Sequence, residues 1–120
     1  MTSVDRPEIP EIPAIPEILT VLTTVDAAEA ATALAHGAVA ARLAACAQVG
    51  APVTSVYRWQ GAVETAQEWQ VLFKTTAARY PDLEAWLIRE HPYDTPEIIA
   101  TAVVRGGADY LAWVAAEVAG

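Results

Sequence analysis

The chain has 120 residues, 54% apolar and 18% charged, so it is long enough to bury one core and too apolar to stay disordered. Fifteen acidic residues against seven basic ones give a formal net charge of −8, which repels phosphate backbones and anionic lipid surfaces. No apolar run reaches the roughly 18 residues that span a bilayer. We therefore expect neither nucleic acid nor a membrane as a partner.

The N-terminal region differs from the rest in composition. Within residues 1–17 proline recurs at every third position and is followed by Glu or Ala and then Ile, a period that matches polyproline II. This stripe is either a docking strip or a leader that rests on the protein's own surface, and its terminal position favours the second reading. We expect residues 18–120 to form the folded domain.

The first half of the domain predicts a strand, a helix and a hairpin. Residues 18–25, ILTVLTTV, are rich in β-branched residues and predict a strand. Asp26 and Glu29 have the spacing of a capping box, so a helix is predicted from there to about Ala45. Two strands then flank a turn at Gln60-Gly61, namely Val53 to Trp59 and Ala62 to Thr75.

The second half predicts a helix, a strand and a last helix. Pro81 starts the second helix, with Leu83 and Leu87 on one face, and Pro92 prevents its continuation. A strand from Ile98 to Val104 follows, then a helix from Asp109 to Val118 whose inward residues are Tyr110, Val114 and Val118 or Leu111 and Ala115. The order βαββαβ plus a C-terminal helix predicts a ferredoxin-like α+β sandwich.

Both faces of the predicted sheet are apolar, because alternate residues of a strand point to opposite sides. In the first strand Leu19 and Val21 oppose Ile18 and Leu22. Since the helices of this topology are expected on one face, the other face would be left to water. Identical copies are the simplest cover, so we predict an obligate homo-oligomer.

The sequence carries none of the common catalytic or nucleotide motifs. GxxxxGK[ST], GxGxxG, CxxC, HExxH and a serine nucleophile elbow are all missing. An enzymatic alternative would use Lys74 and His91 as acid and base, but no nucleophile with an orienting partner can be named. We therefore predict a non-enzymatic protein. The single Cys46 and the lack of a secretion signal predict a cytoplasmic location.

Residues 91–98, HPYDTPEI, contain the principal candidate metal ligand. His91 with nearby carboxylates, Glu97 among them, is a workable set for Zn, Cu or Ni. The spacing gives neither a helical pair nor a bidentate loop, and on the residues alone a structural role is favoured, in which His91 hydrogen-bonds the loop. Lys74 shares a strand face with Glu68, so it either extends its ammonium to water or pairs with an acid in a cleft.

Five strings resemble the CutA divalent-cation tolerance family over about residues 19–116. In this order and spacing they are specific: Leu43-Ala44-Ala45-Cys46, Thr54-Ser55-x-Tyr57-x-Trp59-x-Gly61, Lys74-Thr75, His91-Pro92-Tyr93-x-x-Pro96-Glu97-Ile98 and Tyr110-Leu111-x-Trp113. The resemblance implies a homotrimer of ferredoxin-like subunits, similar in architecture to the PII signalling proteins. A PII-like protein that binds a small metabolite is the alternative function.

The resemblance also implies a cleft at each subunit boundary that takes a divalent cation or a small molecule and needs no cofactor. The binding residues expected there are Tyr57, Trp59, Lys74, Tyr93 and Trp113, and the metal candidates are His91, Glu97 and Glu68. Some relatives carry a cysteine at the position of Thr23 and a histidine at that of Glu90, both taken as copper ligands. Without them we expect at most a weakly bound divalent metal: Cu, Zn or Ni.

Overall fold

The computed structural model describes residues 16–120, so the predicted polyproline II leader, apart from its last two residues, lies outside the described residues. The elements in chain order are β1 (Ile18–Val25), α1 (Ala28–Ala40), β2 (Cys46–Val49), β3 (Val53–Trp59), β4 (Ala62–Thr76), α2 (Tyr80–Glu90), β5 (Ile99–Ala102) and α3 (Ala108–Val118). Within residues 16–120, no helix has the length and apolarity to cross a bilayer.

The long strand β4 organises an antiparallel sheet. Its second half pairs with β1 on one side and β2 on the other, and β5 pairs with the far edge of β1, which gives the order β2-β4-β1-β5. Its first half pairs with β3 from Val53 opposite Glu68 to Trp59 opposite Ala62, so this hairpin extends beyond the four-stranded part. The predicted βαββαβ order therefore holds when β2 and β3 are counted as two halves of one edge strand.

The predicted turn at Gln60-Gly61 is confirmed. Gln60 has φ 48 and Gly61 has φ 81, as a two-residue type I′ turn requires. The prediction for the first helix was wrong at both ends: Ala27 precedes it with no side-chain cap from Asp26, and it ends at Ala40 instead of Ala45. The chain leaves the helix because Arg42 takes the left-handed conformation, with φ 60.

The last predicted strand is shorter than expected. It spans Ile99–Ala102 instead of Ile98 to Val104, although the amide of Val103 still donates a 2.9 Å hydrogen bond to the carbonyl of Ile18. The final helix buries Val114 and Val118, which belong to the first of the two predicted inward sets, while Tyr110 of that set is exposed.

Different helices pack against the two faces of the sheet. On one, the helix face, Val21, Val25, Val71 and Phe73 pack against α1 and α2 in the main core. On the other, the open face, Ile18 packs with Ala45, Val114 and Val118 in a second cluster. The expectation that all three helices share one face was therefore wrong, because α3 covers one end of the open face.

Within residues 16–120, no helix covers most of the open face. Ile99, Leu22 and Leu72 form one row across β5, β1 and β4, as their strand partnerships show. Leu22 and Leu72 are half-buried and Ile99 is 55% exposed. The apolar second face that the strand pattern predicts is therefore present in the single chain.

Candidate functional site

His91 fastens the loop after α2 to the end of β1. Its side chain is 6% exposed; Nε2 lies 2.8 Å from the carbonyl oxygen of Thr24, and Nδ1 accepts a 3.0 Å hydrogen bond from the amide of Tyr93. Because Nδ1 is an acceptor, the ring proton sits on Nε2 and is donated to Thr24. Both ring nitrogens of the neutral imidazole are therefore engaged, as in the structural role favoured on the residues alone.

Tyr93 connects the same loop to β4. Its hydroxyl donates a 2.8 Å hydrogen bond to Oε2 of Glu68, whose side chain is buried, and its ring centroid lies 4.7 Å from that of His91. Burial raises the pKa of Tyr93 well above its usual value, and the hydrogen bond to Glu68 raises it further. The nearby charges of Asp26 and Tyr57 act in the same direction. We call Glu68, His91 and Tyr93 the loop cluster.

A second cluster lies near the C-terminal end of β4. Nζ of Lys74 is 5.3 Å from the ring centroid of Tyr110, a cation–π distance, and the rings of Tyr110 and Trp113 are 5.6 Å apart. Lys74 is half-buried, whereas both aromatic rings are exposed. We call Lys74, Tyr110 and Trp113 the lysine cluster. Tyr110 was missing from the predicted site, although its i,i+3 spacing to Trp113 placed both on one helix face.

The predicted site residues thus divide between two places. Glu68 and Lys74 are six residues apart on one strand, or about 20 Å, so the loop cluster and the lysine cluster do not touch within a chain. Tyr57 is exposed on β3, directly opposite Glu64 in the hairpin. Trp59 is 52% exposed at the end of the hairpin, and Glu97 is exposed in the loop before β5.

The loop cluster does not fit a divalent metal as it stands. A metal at His91 would have to displace the carbonyl of Thr24 or the amide of Tyr93, and one oxygen of Glu68 is already taken by the tyrosine hydroxyl. Within residues 16–120, no three His, Cys, Asp or Glu side chains are grouped closely enough to hold an ion. The metal set of His91, Glu97 and Glu68 stays a prediction.

Within residues 16–120, these features define a small α+β protein with an antiparallel sheet, three helices and two side-chain clusters along β4, one at Glu68 and one at Lys74. The chain belongs to the CutA1 divalent ion tolerance protein family, whose sequence pattern matches residues 19–117. The divalent-cation tolerance protein CutA of Thermus thermophilus is 43% identical over 81 residues, which are 68% of this chain and 79% of that protein.

Two further relatives support the same family. CutA of Escherichia coli is 41% identical over 81 residues, which cover 68% of this chain and 72% of that protein. The structure of CutA from Synechococcus elongatus superposes with a TM-score of 0.82 at 36% identity, over 87% of this chain and 92% of that one. The resemblance to CutA and the mixed α+β fold are therefore confirmed, and the PII-like alternative is not favoured.

Proposed function

We propose that the protein acts in divalent-ion tolerance as a homotrimer that binds a cation or a small molecule at its subunit boundaries and catalyses no reaction. The observation that carries the proposal is the division of the predicted cleft residues into two clusters about 20 Å apart on one chain. The lysine cluster ends in the exposed rings of Tyr110 and Trp113, whereas the loop cluster is closed around the buried His91 and Glu68. Neighbouring copies can place the lysine cluster of one chain beside the loop cluster of the next.

The open face supports the same assembly. No helix of the described part of the chain covers its row of Ile99, Leu22 and Leu72, and an apolar patch of this kind is a common subunit interface. Burying apolar surface stabilises association by about 25 cal/mol per Å² before the entropic cost of assembly is counted. The trimer is expected to bury this row.

Direct metal binding is expected to be weak. A Cu²⁺, Zn²⁺ or Ni²⁺ ion at His91 has to compete with two short hydrogen bonds, and the thiolate and second imidazole of some relatives are replaced by Thr23 and Glu90. The role in metal tolerance that we propose therefore does not depend on a tight resident metal, and it requires no cofactor.

Two measurements test the proposal. Light scattering at micromolar concentration should give three times the 12.8 kDa of one chain, and a well-folded monomer would overturn it. Calorimetric titration with each metal should give weak binding that is lost in His91→Ala. His36→Ala is the matched control because His36 is exposed on α1. A loss in His36→Ala with none in His91→Ala would assign the heat to the exposed histidine and remove His91 from the site.

The compartment is also a proposal. The single Cys46 supports a cytoplasmic location, whereas the relative from Archaeoglobus fulgidus is named a periplasmic divalent cation tolerance protein. Fractionation of the native cells followed by immunoblotting decides between the two compartments. Recovery in the periplasmic or secreted fraction would contradict the cytoplasmic assignment.

A further inference from the structure

On the open side of β4, Lys74 and Glu64 have no ion-pair partner within residues 16–120, and we propose that these two charges meet between copies of the chain. In this arrangement the ammonium of Lys74 pairs with the carboxylate of Glu64 of the partner subunit. The inference rests on the proposed trimer and names the residue that completes its lysine cluster. It concerns assembly, and it is independent of any bound metal.

Lys74 has no acidic partner among the residues that the structure describes. It is the only lysine of the sequence, it is half-buried, and it lies against the ring of Tyr110. Within residues 16–120 the ion pairs are Arg79 with Asp82 and Arg89 with Glu90, so Lys74 has no acidic partner there. An ammonium that loses water when neighbouring copies cover the open face needs an anion, because an unpaired buried charge is costly.

Glu64 is an acid on the projecting part of the same strand. It lies in the extended hairpin, directly opposite Tyr57, and it is exposed with no ion-pair partner in the described chain. Its even position on β4 places it on the same strand side as Lys74. The base nearest in register, Arg58, follows Tyr57 on β3 and points to the other side. Glu68, by contrast, is already occupied by the hydroxyl of Tyr93.

The spacing excludes a pair within one chain. Ten residues separate Glu64 from Lys74 on a continuous strand, or about 33 Å, which no side chain can bridge. A contact between different surfaces of two identical copies is head-to-tail, and such contacts close into a ring when the rotation between copies allows it. The projecting hairpin gives Glu64 the reach to lie across a neighbour's lysine cluster.

Zero-length cross-linking tests the pair without any substitution. A water-soluble carbodiimide joins a carboxylate to an amine as an amide, and Lys74 and the N-terminus supply the only primary amines. We expect covalent dimers and trimers in which peptide mapping finds an amide between Glu64 and Lys74. The variant Lys74→Arg keeps the charge but should lose this cross-link. Amides from Lys74 to another carboxylate, or none in a protein that is trimeric by light scattering, would overturn the pairing and leave the trimer standing.

Charge reversal supplies a second test. Lys74→Glu and Glu64→Lys should each raise the concentration at which the trimer half-dissociates by about tenfold or more. The double variant restores the opposite-charge pair, so its half-dissociation concentration should return most of the way to the wild-type value. Glu29→Lys, the same charge change at an exposed position of α1 on the helix face, is the control and should leave assembly unchanged. Additive single effects without rescue would contradict the pair, whereas a monomeric wild-type protein would contradict the trimer itself.

Discussion

The carbonyl oxygen of Thr24 and Nε2 of His91 lie 2.8 Å apart although 67 residues separate them in the chain. This hydrogen bond connects the loop after α2 to the C-terminal end of β1, where Thr24 is buried. Because the other ring nitrogen holds the amide of Tyr93, the imidazole orients the tyrosine ring toward Glu68. The HPY segment therefore positions an acid–phenol pair beside the open face.

Replacing Tyr93 by phenylalanine tests the strength of that pair. Tyr93→Phe leaves the buried carboxylate of Glu68 without its hydroxyl donor, so we expect the free energy of unfolding to fall by about 1.5 to 3 kcal/mol at pH 7. Chemical denaturation of both proteins measures the difference. Equal stability at neutral pH would show that water replaces the hydroxyl without cost.

The same substitution has an expected pH dependence. The folded-state pKa of Tyr93 lies above the unfolded value of about 10, so its stabilising contribution is fully present below pH 10 and is lost as pH rises toward the folded-state pKa. The stability gap between wild type and Tyr93→Phe should therefore narrow above about pH 10. Burial, together with Glu84, raises the pKa of Tyr80 to about 12, and Tyr80→Phe is the control. At neutral pH, Tyr80→Phe should lower the free energy of unfolding by less than Tyr93→Phe does, because Glu84 is less buried than Glu68.

Local sequence pattern predicted some elements and could not predict others. The β-branched run of β1 and the turn at Gln60-Gly61 are properties of neighbouring residues, and both were predicted correctly. The strand Cys46–Val49 was missed because an alanine-rich segment has high helix propensity up to that point. Its strand state depends on pairing with β4, which begins with the 2.9 Å hydrogen bond from Ala45 to the carbonyl of Lys74. Such tertiary pairing is invisible in a local pattern.

The candidate site shows the same limit. The residue types of the HPY segment and of Lys74 could be selected from the sequence, but the distance between Glu68 and Tyr93 could not. It depends on how the loop after α2 returns over the end of β1, which the contact between His91 and Thr24 determines. The contact between Tyr110 and Lys74 was missed for the same reason, because the sequence of a helix does not show which strand the helix packs against.

Thr23 offers a stabilising substitution. Its side chain is fully buried on β1, and its hydroxyl has no hydrogen-bond partner within residues 16–120. Thr23→Val keeps the branched shape and removes the unsatisfied polar group, so we expect the free energy of unfolding to rise by about 1 kcal/mol. Thr75→Val is the matched control, because that equally buried hydroxyl donates a 2.7 Å hydrogen bond to the carbonyl of Leu43. Thr75→Val should lower the free energy of unfolding by about 1 to 3 kcal/mol. A loss in Thr23→Val would reveal a partner for its hydroxyl.

Gly37 allows α1 to approach α2. A Cβ atom at this position would lie 2.6 Å from Cζ2 of Trp86, closer than real contacts permit. Gly37→Ala gains about 1 kcal/mol of helix propensity but forces a stiff indole to move, at a cost of about 1 to 3 kcal/mol. We expect a net loss of stability in thermal or chemical unfolding. In a Trp86→Leu background the same substitution should become stabilising, and a persistent loss there would place the cost elsewhere.

Arg42 links the end of α1 to the end of α3. Its guanidinium donates hydrogen bonds to the carbonyls of Glu117 at 2.9 Å and Ala119 at 3.3 Å, where a helix leaves its last carbonyls without partners. Arg42→Ala should lower the free energy of unfolding by about 1 kcal/mol and speed amide exchange in the last turn of α3. Since α3 carries Tyr110 and Trp113, the lysine cluster should loosen with it.

Two comparisons separate capping from backbone strain at Arg42. Arg42→Gly loses the same hydrogen bonds but relieves the left-handed conformation at φ 60, so its stability should lie between those of the wild type and Arg42→Ala. Arg89→Ala removes an arginine whose ion-pair partner is the exposed Glu90, and it should change stability by less than about 0.5 kcal/mol. If Arg42→Ala behaves like Arg89→Ala, water caps α3 as well as the guanidinium does, and the orientation of Tyr110 is determined by Val114 and Val118 alone.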